Sequence, residues 1–303
     1  MRRWVGVFFI ASLTFLLIGA SLEQGGKIQI KGAVTDAAFS PDGKFLVTAS
    51  SKGIDFWDIS LNSQVKNIDD RTALSVAFSP KGDVFAYGTI DGKINICSVP
   101  DCAVSTEIDV GKEHIRHLAF TSDGGLIITN LLNAFDPSGK LKFQLKNESP
   151  ANAIAISPDD KTLVSAHQNG HVLLWNLKRK KITAEIAAHP KDASEVAFLP
   201  ALDRLLTANL DGTVKTWNLA DLGQVLELNH PSEILSLAVS PQGRLLAVGT
   251  QDGKITLWDA RTGDNLGSFV HWPNIAVDVL VFSPDGNTLI SGSWGLVKKW
   301  IVK

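Results

Sequence analysis

Seven histidines, two cysteines and 31 carboxylates are the groups in this 303-residue chain with the means to bind metal or move protons. A metal centre needs three or four such groups at ligand spacing. The nearest approach is His167 and His171, which flank Asn169-Gly170. A two-residue turn there sets Gln168 against His171 and His167 against Val172, so the imidazoles are expected on opposite faces and no metal is expected. Asp36, Glu195 and Asp278 each open an apolar strand-like run. Together they suit either a calcium site or an acidic, solvated mouth. Ser291-Gly292-Ser293-Trp294-Gly295 comes closest to a nucleophile elbow, but it lacks the first glycine and leads into no helix. Neither a phosphate loop nor a dinucleotide fingerprint occurs, so no cofactor is expected. The balance of 29 basic against 31 acidic groups gives a net charge of −2, which leaves no electrostatic footprint for nucleic acid.

Any site must be carried by a repeating frame. An apolar triplet followed by a turn appears as Ala38-Phe39-Ser40-Pro41-Asp42-Gly43 and returns at Ala77, Ala119, Ala155, Ala197, Ala238 and Val281. A second marker follows each one: Trp57, Cys97, Phe135, Trp175, Trp217, Trp258 and Trp300, at steps of 38 to 42 residues. That makes seven repeats. Each reads as four short strands. Proline stops the first, Asp-Gly or Asn-Gly turns join the second to the third, and the fourth is amphipathic, as in Gln224-Val225-Leu226-Glu227-Leu228. With 45% hydrophobic residues the chain has ample apolar surface for a core.

Ser-Pro-Asp-Gly, then Asp-Gly, then Leu257-Trp258-Asp259 resembles the WD-repeat family of β-propellers, and the likeness runs over residues 27–303. It implies an all-β, seven-bladed propeller of four-stranded antiparallel blades. It also implies a structural His–Ser/Thr–Asp–Trp network, complete only in the sixth repeat as His230, Thr250, Asp252 and Trp258. The fifth repeat keeps His189, Asp211 and Trp217, with Asn209 in place of the hydroxyl. The chain stops inside a third strand, so Lys27-Ile28-Gln29-Ile30 is expected to complete the last blade and close the ring.

Ahead of the repeats, Met1-Arg2-Arg3 precedes 16 uncharged residues, Val5 to Ala20. This is the pattern of a signal peptide over residues 1–21, or of an uncleaved anchor over residues 4–20. Either places the repeats outside the cytoplasm, periplasmic or extracellular, with membrane contact only through that segment. The expected function is a non-catalytic interaction scaffold that binds a protein or peptide on one loop face. The alternative is an exported propeller lactonase, hydrolase or quinone-type oxidoreductase with a site at the channel mouth. Asp259-Ala260-Arg261-Thr262-Gly263 bears a faint likeness to quinone-enzyme docking motifs, which a tight turn explains equally well.

Three local departures mark candidate sites. The third repeat spans only nine residues from Leu126 to Phe135, against 13 from Leu245 to Trp258. A notch is expected there beside His114, Arg116 and Asn152, unless the repeat is simply decayed. Cys97 and Cys102 flank a short hairpin loop, which allows a disulfide or two separate thiols. Trp272 and Trp294 fall outside the structural tryptophan series, in two loop types that project from one face. With Gln251 and Asp278 they form either a binding patch or a pair of lids on the core.

Overall fold

The computed structural model describes residues 20–60, 63–147, 150–190 and 192–303. The basic and apolar N-terminal segment lies, but for its last residues, outside them. Five antiparallel sheets have four strands each and a sixth has six. Their strands follow the repeat markers. In the sixth repeat they are Ile234–Val239, Leu245–Thr250, Lys254–Asp259 and Asn265–Val270. The second of these is wholly buried and the third is buried at its centre because both sheet faces are covered, whereas no residue of the fourth is buried. A single short helical turn, Pro200–Leu202, interrupts the strands among the described residues.

The six-stranded sheet contains two long strands that each serve twice. Leu22–Phe39 pairs through its first part with Thr288–Val302, from Leu22↔Val302 to Gln29↔Leu296. Its last part pairs with Phe45–Ser50 as the inner strand of the first repeat. The N-terminal strand therefore completes the last repeat, as the frame of the repeats requires, and it begins at Leu22, five residues earlier than expected.

First strands touch neighbour to neighbour around a closed cycle. The path runs from Leu22–Phe39 through Ala73–Phe78, Leu118–Phe120, Ala153–Ile156, Ala193–Leu199, Ile234–Val239 and Val279–Phe282 back to the start. The core lies between sheets instead of at the centre: seven apolar clusters each join one repeat to the next. Side chains also tie neighbours together, as in Ser75 Oγ donating to the Ile115 carbonyl at 2.8 Å and Ser236 Oγ to that of Val277 at 2.7 Å. Loops are thus held on a stiff frame.

Tryptophan indoles pin that frame. Trp57, Trp175, Trp217 and Trp300 are 2–8% exposed. Each donates Nε1–H to a hydroxyl on the second strand, Thr48, Ser165, Thr207 and Ser291 respectively, at 2.7–3.2 Å. This corrects the expected network. The hydroxyl lies two residues before the position assigned from the family pattern, so Thr207 supplies it in the fifth repeat despite Asn209. The fifth and seventh repeats are fully linked to a preceding histidine: His189 Nε2 meets Thr207 Oγ1 at 2.9 Å and His271 Nδ1 meets Ser291 Oγ at 2.7 Å. In the sixth repeat Val248 occupies the hydroxyl position, and Trp258 Nε1–H donates directly to His230 Nε2 at 3.1 Å. Thr250 instead donates to Asp252, and Asp211 accepts from Thr213. Both aspartates shape turns, and Asp211 is linked to His189 through Thr213, whose Oγ1 stands 3.2 Å from His189 Nδ1.

Candidate functional site

Three features occupy the loop side of the frame. The first is the tryptophan patch. Trp272 follows the last strand of the sixth repeat; Trp294, at the place where other repeats carry the Asp or Asn of a turn, lies within the long strand Thr288–Val302, opposite Ala33. Trp272 is 43% exposed and Trp294 is 71% exposed, so neither ring lies over the core as a lid. Their neighbours bring them together, since His271 Nε2 and Ser293 Oγ stand 2.7 Å apart. The turn that holds Gln251 packs against the same loop, where the Asn274 N–H donates to the Asp252 carbonyl. Lys27 and Lys298 hold Trp272 from the strand side, with ammonium groups 5.6 and 5.7 Å from its ring centre. The sequence reading missed both lysines, because nothing local shows which residues pair across the closing ladder. Asp278, grouped with the patch from sequence, instead lines the central channel.

The second feature is the notch. The third repeat has strands of only three or four residues, Leu118–Phe120, Ile127–Thr129, Asn133–Phe135 and Leu141–Gln144. Its shortened turn leaves a cavity of about 260 Å³ that His114, Arg116 and Asn152 all line. An adjoining cavity of about 540 Å³ shares Glu113, Leu131 and Pro150 with it. Arg116 donates to His114 Nδ1 at 3.0 Å, and Asn152 Nδ2–H donates to the Ala193 carbonyl at 3.0 Å. The Oδ1 atom of Asn133, on the second cavity, is buried without a hydrogen-bond partner.

The third is the mouth of the central channel, a cavity of about 570 Å³ whose lining includes Asp36, Arg116, His117, Glu195 and Asp278. Burial pushes the Asp36 carboxyl up to about 7, against the opposing pull of the Val76 and Ala37 N–H groups that donate to it at 2.8 Å. Burial, reinforced by the charge of Asp36, pushes Glu195 up to about 8. Partial burial raises Asp278 as well. His117 is held down to about 4, first by burial and then by Arg116. The three carboxylates picked out in the sequence thus line one cavity, but among the described residues no three potential ligands stand close enough to hold a metal ion.

Two sequence readings are corrected here. Cys97 and Cys102 are both free, buried thiols. The bulged register sets Val104, not Cys102, opposite Cys97, while Cys102 turns back at φ 53° to donate to the Pro100 carbonyl. Burial drives the Cys97 thiol up to about 12, which makes it inert as a nucleophile. The His167 turn is one residue longer than expected, so Ala166 pairs with Val172 and His167 faces His171. The two imidazoles still part company: His167 Nε2 meets Ser165 Oγ at 2.8 Å, and His171 Nδ1 meets Glu185.

Known proteins share this frame. The family model described as WD domain, G-beta repeat matches residues 26–58 and 134–176, and that of the anaphase-promoting complex subunit 4 WD40 domain matches residues 196–284. Telomerase protein component 1 of Rattus norvegicus is 29% identical over 232 residues, and that of Mus musculus is 28% identical over 232 residues. Each alignment covers 75% of this chain but only 9% of the relative. Protein groucho of Drosophila melanogaster is 29% identical over 196 residues, 62% of this chain and 27% of the relative. The chain therefore spans a small part of the curated relatives it matches. Strand topology, the periodic tryptophan–hydroxyl pairs and these matches agree: the chain belongs to the WD-repeat family.

Proposed function

We propose that this chain is a non-catalytic scaffold, a seven-bladed propeller presented outside the cytoplasm, that binds a protein or peptide on its loop face. The observation that carries this reading is the pair of exposed indoles, Trp272 and Trp294, on rigid neighbouring loops. A single tryptophan ring offers a large apolar area at low entropy cost, which is why such rings anchor interfaces. The WD-repeat relatives support a scaffold role, and the basic-then-apolar N-terminus supports export. Affinity capture from the cell-envelope fraction of the source cells tests it. Wild-type protein retains a partner, whereas Trp272→Ala and Trp294→Ala lose it. Equal capture by all three would refute the loop-face assignment.

One observation favours the enzymatic alternative. Asp36 and Glu195 share a cavity, and burial raises the pKa of both, the pattern expected of a general acid–base pair. No activated nucleophile adjoins them among the described residues that line the cavity. Hydrolysis of lactone or ester substrates that disappears in Asp36→Asn would establish the alternative.

A further inference from the structure

Lys27 and Lys298 stand directly opposite each other in the ladder between the two long strands. Like charges so placed repel, and a carboxylate partner is the usual remedy. Here there is none. Among the described residues neither lysine takes part in an ion pair. Both ammonium groups lie over the Trp272 ring, and that of Lys298 also lies 5.5 Å from the centre of Trp300. Lys298 is only 7% exposed and donates to the His271 carbonyl. Burial, and then the charge of Lys27, holds its ammonium below the usual lysine range. Its field reaches His271 too, where it adds to the burial that keeps that imidazole neutral. Two positive charges therefore share an aromatic-walled site that contains no anion.

Apolar surface adjoins them. Trp294 follows Ser293, Trp272 follows His271, and those two neighbours are hydrogen-bonded. Trp294 lies four residues along the same strand from Lys298, a span of about 13 Å at strand rise, within reach of one short extended segment.

We propose that this patch binds an acidic segment of a protein partner, with its carboxylates over Lys27 and Lys298 and its apolar side chains against Trp294 and Trp272. The proposal rests on the loop-face reading above and adds the chemistry of the partner. An anion here relieves the repulsion between the lysines, so the site gains more from a negative charge than an isolated surface lysine does. Lysine beside tryptophan also suits an anionic membrane, but the ladder argues against that. Trp294 lies at the Ala33↔Trp294 end and the lysine pair midway along the ladder, whereas the described chain enters at the Leu22↔Val302 end. Leu22, next to the basic and apolar N-terminal segment in sequence, is thus at the end of the ladder away from Trp294.

The test is selection of a random dodecapeptide display library on the immobilised chain at low salt. Recovered clones are then measured against Lys27→Glu, Trp294→Ala and, as a remote control, Lys178→Glu. We expect clones rich in Asp and Glu beside Leu or Phe. They should lose about tenfold or more in affinity on the first two variants, keep it on the third, and weaken as salt rises. Lys27→Glu sets a carboxylate opposite Lys298, so it should raise the melting midpoint while it removes binding, which separates lost recognition from lost folding. Clones that need Trp294 but show no acidic bias overturn the acidic assignment and leave the loop-face reading standing. Clones indifferent to both substitutions overturn both readings. Vesicles of phosphatidylserine and phosphatidylcholine that bind the chain through Lys27 and Trp294, and displace the clones, overturn the assignment in favour of a membrane.

Discussion

Trp217 and Trp294 are the same residue type under opposite constraints. Trp217 is 8% exposed, fills the core between the fourth and fifth repeats, and gives its N–H to Thr207 at 3.0 Å. Trp294 is 71% exposed and stands on the long closing strand opposite Ala33. A buried indole needs both an apolar pocket and an acceptor, and the repeat supplies both at a fixed place on its second strand. A ring at that place serves the frame. A ring elsewhere, left in water on a paired strand, adds little to the frame and is available for contact. The spacing of a tryptophan from its hydroxyl thus separates structure from recognition in this chain.

The largest test of that contrast is Trp217→Ala. It should cost about 3–5 kcal/mol of stability, measured by denaturant unfolding, because it leaves a large cavity and takes one of two hydrogen-bond partners from Thr207, which keeps His189. Next comes Ser291→Ala, which strips the partner from Trp300 Nε1–H and from His271 Nδ1 at once. About 1–3 kcal/mol is expected, the penalty for leaving buried polar groups unsatisfied. The sixth repeat shows the milder form of the same loss: Val248 removes the hydroxyl, the indole turns to His230, and His230 Nδ1 is left without a partner.

A smaller effect is expected from pH. His189 and His271 are held near 4 in the folded chain, chiefly by burial, so unfolding takes up protons below the ordinary histidine value of about 6.5. Their contribution is therefore complete above that value and is lost as pH falls toward 4. Asp36 and Glu195 act in the reverse sense. Their folded values of about 7 and 8 lie above the unfolded ones, so the stability they provide is present at low pH and lost as pH rises toward 8. The melting midpoint should consequently decline between about pH 6.5 and 8, as the buried carboxyls ionise. Glu195→Gln should flatten that decline. An unchanged slope in the variant would mean that the channel carboxyls titrate normally.

Much of this was legible in the sequence, for a physical reason. Strand ends are set by local chemistry, such as the proline after Ser40 and the glycines at 92, 212 and 253 whose positive φ the turns require. The closing strand was legible too, because a last repeat that ends in its third strand lacks a fourth. What escaped was non-local. The tryptophan acceptor expected at position 250 falls two residues earlier, because the register sets Trp217 opposite Leu205 and Trp258 opposite Leu246 and so puts the acceptor at the diagonal position. The Cys97 loop and the His167 turn failed in the same way, each through a pairing shifted by local irregularity. No pattern along the chain brings Lys27 beside Lys298. Only ring closure does.

The central claim, that the tryptophans outside the series recognise a partner and do not hold the frame, turns on Trp294→Ala measured two ways on one preparation. Unfolding free energy should stay within about 0.5 kcal/mol of wild type, since the exposed ring gives up little burial. Partner capture from the envelope fraction should be lost in the same sample. A drop of about 3 kcal/mol or more, the size expected of a packed ring, or capture that survives the substitution, would contradict the account.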